Sequence, residues 1–159
     1  MTRYRLLAAF AALALPAPAM ACPKADIHAE TARFVQMGAG GQPGARAYDA
    51  RLSAPQVTCA NDGATLKIVL SFKVDASLGP NVEAKPVQAP YFVAVLYGGK
   101  IVAKEVFPVR LPFGPGAETV SLTETVDKIS LPLRRNAKPD YEILLGFQLT
   151  PQQLRAGQN

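Results

Sequence analysis

Histidine occurs once in this chain of 159 residues, as His28. That scarcity removes most hydrolytic schemes, because a Ser-His-Asp or Cys-His arrangement would have to be built on it. His28 lies in a weakly patterned segment, and no glycine-framed serine elbow occurs anywhere, so an exposed structural histidine is the expected reading. Gly38-Ala39-Gly40-Gly41 lacks the lysine and hydroxyl of a phosphate-cradling loop and does not run from a strand into a helix. Metal ligands are as scarce: beyond the cysteines, His28 and Met37, the one methionine after residue 21, are the supporting donors, whereas a zinc or copper site takes roughly three or four. No catalytic residue, cofactor site or metal site is expected. Two carboxylate pairs, Asp140 with Glu142 and Glu118 with Glu124, have the residue types for acid–base work on a glycan, but their setting reads as ordinary solvated charge.

Clustered charge and long apolar runs are also missing. The one apolar stretch of note, Leu6 to Leu15, falls short of the roughly 18 to 20 residues that span a bilayer. Lysines and arginines are scattered, with Arg134-Arg135 the only adjacent pair after the first few residues, so a nucleic-acid partner is not expected.

Arg3 and Arg5 precede that apolar run, Pro16 and Pro18 end it, and Ala19-Met20-Ala21 suits a signal peptidase. The expected mature chain starts at Cys22, with 138 residues, enough for one domain with one core. Removing two arginines leaves fifteen basic residues against twelve acids, a net charge of +3. The chain is therefore expected to be secreted through a cleaved signal peptide. Cys22 and Cys59 are the two cysteines, and an even count in an oxidising compartment ordinarily means a disulfide, contributing about 3 to 4 kcal/mol for a loop of this size. The competing reading is a membrane-anchored lipoprotein modified at Cys22. Ala19 stands where the lipid-attachment motif usually carries a larger aliphatic residue, and lipidation would strand Cys59 as a free thiol.

The mature chain divides into an N-terminal segment, partly irregular (22–46), a β-sandwich domain (47–150) and a polar tail (151–159). Ala25 to Met37 fits either a short helix or an irregular strand. Gly38 to Gly44 forbids regular structure. Tyr48 to Cys59 reads as a strand interrupted at Pro55, and Asn61-Asp62-Gly63 as a turn. Ala64 to Asp75 is the clearest strand, with Leu66, Ile68, Leu70, Phe72 and Val74 on one face and Lys67, Ser71, Lys73 and Asp75 on the other. Tyr91 to Tyr97 is apolar on both faces, which suits a central covered strand or one with an exposed binding face. Gly98-Gly99 then joins it to Lys100 to Pro108 as a hairpin. Phe107 to Phe113 is a plausible edge for docking a partner, although its prolines oppose strand pairing. Glu118 to Leu133 forms one broken strand or two short ones, with Val120 and Leu122 inward. Tyr141 to Leu149 alternates as a last strand, and Pro151 to Arg155 fits one helical turn.

Six to seven strands without a long amphipathic helix predict an all-β, antiparallel immunoglobulin-like β-sandwich, although an open barrel uses the same pattern. Pro139-Asp140-Tyr141 entering the last strand matches a tyrosine corner, in which the phenol bonds back to the preceding loop.

Cys22-Pro23, Cys59 ahead of the long strand, Pro90-Tyr91-Phe92-Val93-Ala94-Val95 and the ending Asp140 to Pro151 with its Gly146-Phe147-Gln148-Leu149-Thr150-Pro151 string resemble a group of uncharacterised alphaproteobacterial exported proteins and lipoproteins. The resemblance covers the mature chain. It implies an envelope location and the Cys22 to Cys59 disulfide, and carries no activity or site residues. The resulting expectation is a non-enzymatic module that binds a cell-envelope protein or polymer. A lipid-anchored envelope structural protein and a carboxylate-dependent glycan hydrolase are the alternatives.

Overall fold

The computed structural model describes residues 22–38, 46–133 and 140–157. Residues 1–21, read from sequence as a signal peptide, most of the glycine-rich loop and the basic stretch Arg134-Arg135 with Lys138 lie outside the described residues. Eight strands are described: β1 (Lys24–Ile27), β2 (Arg33–Met37), β3 (Arg46–Asn61), β4 (Thr65–Leu78), β5 (Val87–Tyr97), β6 (Lys100–Leu111), β7 (Thr119–Pro132) and β8 (Tyr141–Phe147). One helix, α1 (Pro151–Gly157), follows them. A front sheet, ordered β1-β8-β5-β6, faces a back sheet, ordered β2-β3-β4-β7. The fold is an all-β sandwich.

Alternation explains the core. Leu66, Ile68, Leu70, Phe72 and Val74 of β4 are all buried against Tyr91, Val93, Val95, Ile143, Leu145 and Phe147 of the front sheet. Rings lock the layers together, Phe72 edge-on to Tyr91 at 5.0 Å and Phe34 tilted on Phe147 at 5.7 Å. Pro55 is accommodated by a register shift between Ser53 and Gln56, with Ala54 at φ +48°. The Gly98-Gly99 turn takes φ of +56° and +74°, as a two-residue hairpin requires. Residues 119–132 form one strand, broken in register where it pairs with Ile68 and Leu70.

The N-terminal segment is where the fold departs most from expectation. It forms two strands separated by a single 3-10 turn at Ala29–Thr31, and they serve different sheets: β1 runs parallel to β8, and β2 antiparallel to β3. The segment thus raises the expected six to seven strands to eight and adds one parallel pair. Its placement is pinned by the Cys22–Cys59 disulfide, with 5.7 Å between Cα atoms, which links the start of the front-sheet strand to β3 of the back sheet.

Two local devices close the other end. Tyr141 donates its phenolic O–H to the carbonyl of Pro132 at 3.0 Å, which is the bond expected of the residues entering the last strand. Thr150 and Gln153 then cap α1 reciprocally: the Gln153 amide donates to Thr150 Oγ1 at 3.2 Å and the Thr150 amide to Gln153 Oε1 at 2.9 Å, with Pro151 in the first helical position. The helix packs on β2, where Gln153 Nε2 donates to Gln36 Oε1 at 3.0 Å.

Candidate functional site

Pairing register fixes which face each side chain occupies, and it makes the two outer surfaces of the sandwich unlike each other. On the back sheet, β4 presents Lys67, Val69, Ser71, Lys73 and Asp75 outward. Asp75 accepts from Ser121 Oγ at 2.6 Å and from Ser53 Oγ at 3.4 Å, and Arg33 clasps Asp49 through both guanidinium branches. That clasp holds the Asp49 carboxyl below its ordinary range, with the hydrogen bonds from Arg33 as the first cause. This is a solvated face.

The outer face of the front sheet sets apolar side chains of β5 and β6 beside charged ones at its margins. Aligned partners across β6, β5, β8 and β1 form rows. One row reads Lys104, Ala94, Leu144, Asp26. The next reads Ile101, Leu96, Glu142, Lys24. On the other side Val106, Phe92 and Gly146 align. Phe92 and Ala94 are shielded by their own neighbours: the Lys104 ammonium sits 4.4 Å from the centre of the Phe92 ring. A Cβ at Gly146 would meet that ring at 2.8 Å and collide with Thr31 Oγ1, so glycine here lets Phe92 lie flat across β8. Toward β6 the shielding ends. Ile101 is 61% exposed, Val102 58% and Val106 48%.

The sandwich is also open on the inner side of β6. A cleft of about 340 Å³ separates its first half from the end of β7, walled by Val93, Val95, Phe107, Ile129 and Leu131. Two carboxylates face inward near this side: Glu105, aligned with Val93, and Glu124, aligned with Phe72. Burial raises the Glu124 carboxyl above its ordinary range. Burial, and secondarily the Glu124 charge, pushes the Tyr91 phenol up to about 12. Inward charge, Pro108 on the edge, Lys104 and the register shift near Val102 are the devices that blunt an edge against strand addition. Addition of a further strand at this margin is therefore opposed.

The carboxylate pairs considered from sequence stay apart or exposed. Glu118 precedes β7 and Glu124 lies six residues along it, roughly 20 Å away at the rise of a strand, beyond the separation at which two carboxyls flank one glycosidic bond. Asp140 and Glu142 are both exposed at the start of β8. Among the described residues no group of three or more His, Cys, Asp or Glu is placed to hold a metal, and no helix is long and apolar enough to cross a membrane. Cys22 and Cys59 are joined to each other, and Cys22 therefore has no free thiol. The apolar pattern of residues 91–97 signalled the front face, since Phe92, Ala94 and Leu96 alternate with the core residues. The inward Glu124 was legible too, sharing the parity of Val120 and Leu122. Comparison with protein-family models, curated proteins and solved structures finds no match to this chain.

Proposed function

We propose that this chain is an exported, non-enzymatic β-sandwich module of the periplasm that binds another cell-envelope component, a protein or polymer, through the outer face of its front sheet. One observation carries the reading: among the described residues four large apolar side chains stand well exposed, and three of them (Ile101, Val102 and Val106) are on β6, where Ile101 aligns with the half-buried Leu96, while the opposite face carries Val69 among mainly charged and hydroxyl side chains. Contiguous exposed apolar surface is the usual mark of an interaction site. Export is supported by the signal-like segment and by a disulfide, which persists in oxidising compartments. A thioether-linked lipid would need the sulfur that Cys22 shares with Cys59, which favours the unanchored form. The arrangement β3-β4-β7 facing β6-β5-β8, with the tyrosine bond at the start of β8, supports an immunoglobulin-like classification, β1 lying parallel where a hairpin-connected last strand would otherwise pair.

The test is capture from envelope extract with the oxidised mature chain as bait, compared with an Ile101→Asp/Val106→Asp bait of equal thermal stability. The wild-type bait recovers a component that the variant loses. Equal recovery by both baits would remove the face from consideration.

A further inference from the structure

The row Lys104, Ala94, Leu144, Asp26 places a cation at one margin of the front face, an anion at the other, and a small and a large apolar side chain between them. Such a row is complementary to its own reversal. From this we infer that the component bound by the front face is a second copy of the chain, packed face to face about a two-fold axis that runs along the strands between β5 and β8; the inference rests on the binding face proposed above.

An axis in that direction keeps each row at its own level and reverses its order. Lys104 then lies over Asp26 of the second copy, Asp26 over its Lys104, and Ala94 over its Leu144 in both directions, which lets large meet small. Packed sheets lie about 10 Å apart, a gap that long side chains at the margins bridge readily. In the neighbouring row Ile101 and Leu96 lie over the second copy's Lys24 and Glu142. Those two are aligned neighbours on the same face, so they offset each other's charge and offer aliphatic stems to the apolar side chains. The alternative axis, across the strands, sets β6 against β6 and brings the cationic margins together. An interface between identical copies about a two-fold must be self-complementary, and of the two axes the row from Lys104 to Asp26 meets that condition only about the one along the strands. Lys104 and Asp26 stand three inter-strand steps apart, about 14 Å, so they do not bridge within one copy.

Sedimentation of the oxidised mature chain between about 1 and 100 μM tests this. The wild type is expected to pass from monomer to dimer over that range, more weakly as salt is raised. Asp26→Lys and Lys104→Asp should each weaken the dimer at least about tenfold, and the double variant D26K/K104D should return to within about threefold of wild type, because reversal of both charges restores both pairs only across a copy-to-copy contact. Both positions are exposed, and matching urea midpoints of the three variants and the wild type verify folding. A wild type that stays monomeric throughout, or a double variant no tighter than the single ones, overturns the inference. In that event, loss of capture by Ile101→Asp/Val106→Asp would leave the binding face standing with a different partner, whereas equal capture would remove both readings.

Discussion

Replacing Cys22 and Cys59 together by serine removes one covalent link without stranding a thiol, and its cost follows from where the link sits. The bridge joins residues 37 apart in sequence, and the loop-closure entropy for that length amounts to about 4 kcal/mol at 25 °C. Against a domain stability of roughly 5 to 15 kcal/mol this is a large share. The structure adds a local consequence. β1 has four residues and pairs with one neighbour, β8, and its N-terminal anchor is the cysteine two residues upstream. Without the bridge, β1 frays from β8, and the backbone bond from the His28 amide to the Leu145 carbonyl, 2.8 Å in the intact chain, opens with it. Urea denaturation of the oxidised chain and the C22S/C59S variant at neutral pH should show a loss of about 4 kcal/mol, and hydrogen exchange should quicken selectively at the His28 amide. A loss below about 1 kcal/mol, with His28 protection unchanged, would refute the reasoning. The N-terminal strand would then be held by its contacts alone.

Tyr141→Phe deletes a half-buried bond to the Pro132 carbonyl and should lower unfolding free energy by about 1 to 1.5 kcal/mol in urea, without loss of the folded dichroism spectrum. Two carboxylates should leave opposite signatures in a pH series of thermal midpoints. Asp49 has a depressed pKa in the folded chain, so the stability it contributes is present above its ordinary value of 3.8 and is lost as pH falls through the lower folded value; Asp49→Asn should therefore be less stable at neutral pH, by about 1 kcal/mol for a partly exposed pair, and show a shallower acid limb. Glu124 is raised by burial, so its ionised form costs stability at neutral pH and the cost fades as pH falls through the folded value toward 4.5; Glu124→Gln should be slightly more stable than wild type at neutral pH, with the difference vanishing in acid.

The chain's own pattern determined every element whose partners are local or whose faces differ in polarity. The alternation of residues 66–74 specified both a strand and its inward side, because a one-residue slip would bury Lys67, Ser71 and Lys73. Turn chemistry at Asn61 to Gly63 and Gly98-Gly99 set two hairpins, and the residues entering the last strand marked the phenol that bonds back to Pro132. Tertiary structure alone decided how the N-terminal segment is used: it lacks strong periodicity, and its strands exist because β8 and β3 each had an edge to pair and the disulfide holds the segment between the two sheets. The same holds for β6. Sequence marks it only as the hairpin partner of residues 91–97; the register turns Ile101 and Val106 outward with Leu96 and Phe92, onto a face that no further layer of the described residues covers. Side-chain pattern reports polarity along a strand, and burial depends on what the rest of the chain brings to lie across it. That is why an outer binding face could be suspected from residues 91–97, while its exposed margin, its charged ends and the reversal symmetry of one row emerged only when the register brought β1 and β8, from the two ends of the chain, beside the β5–β6 hairpin.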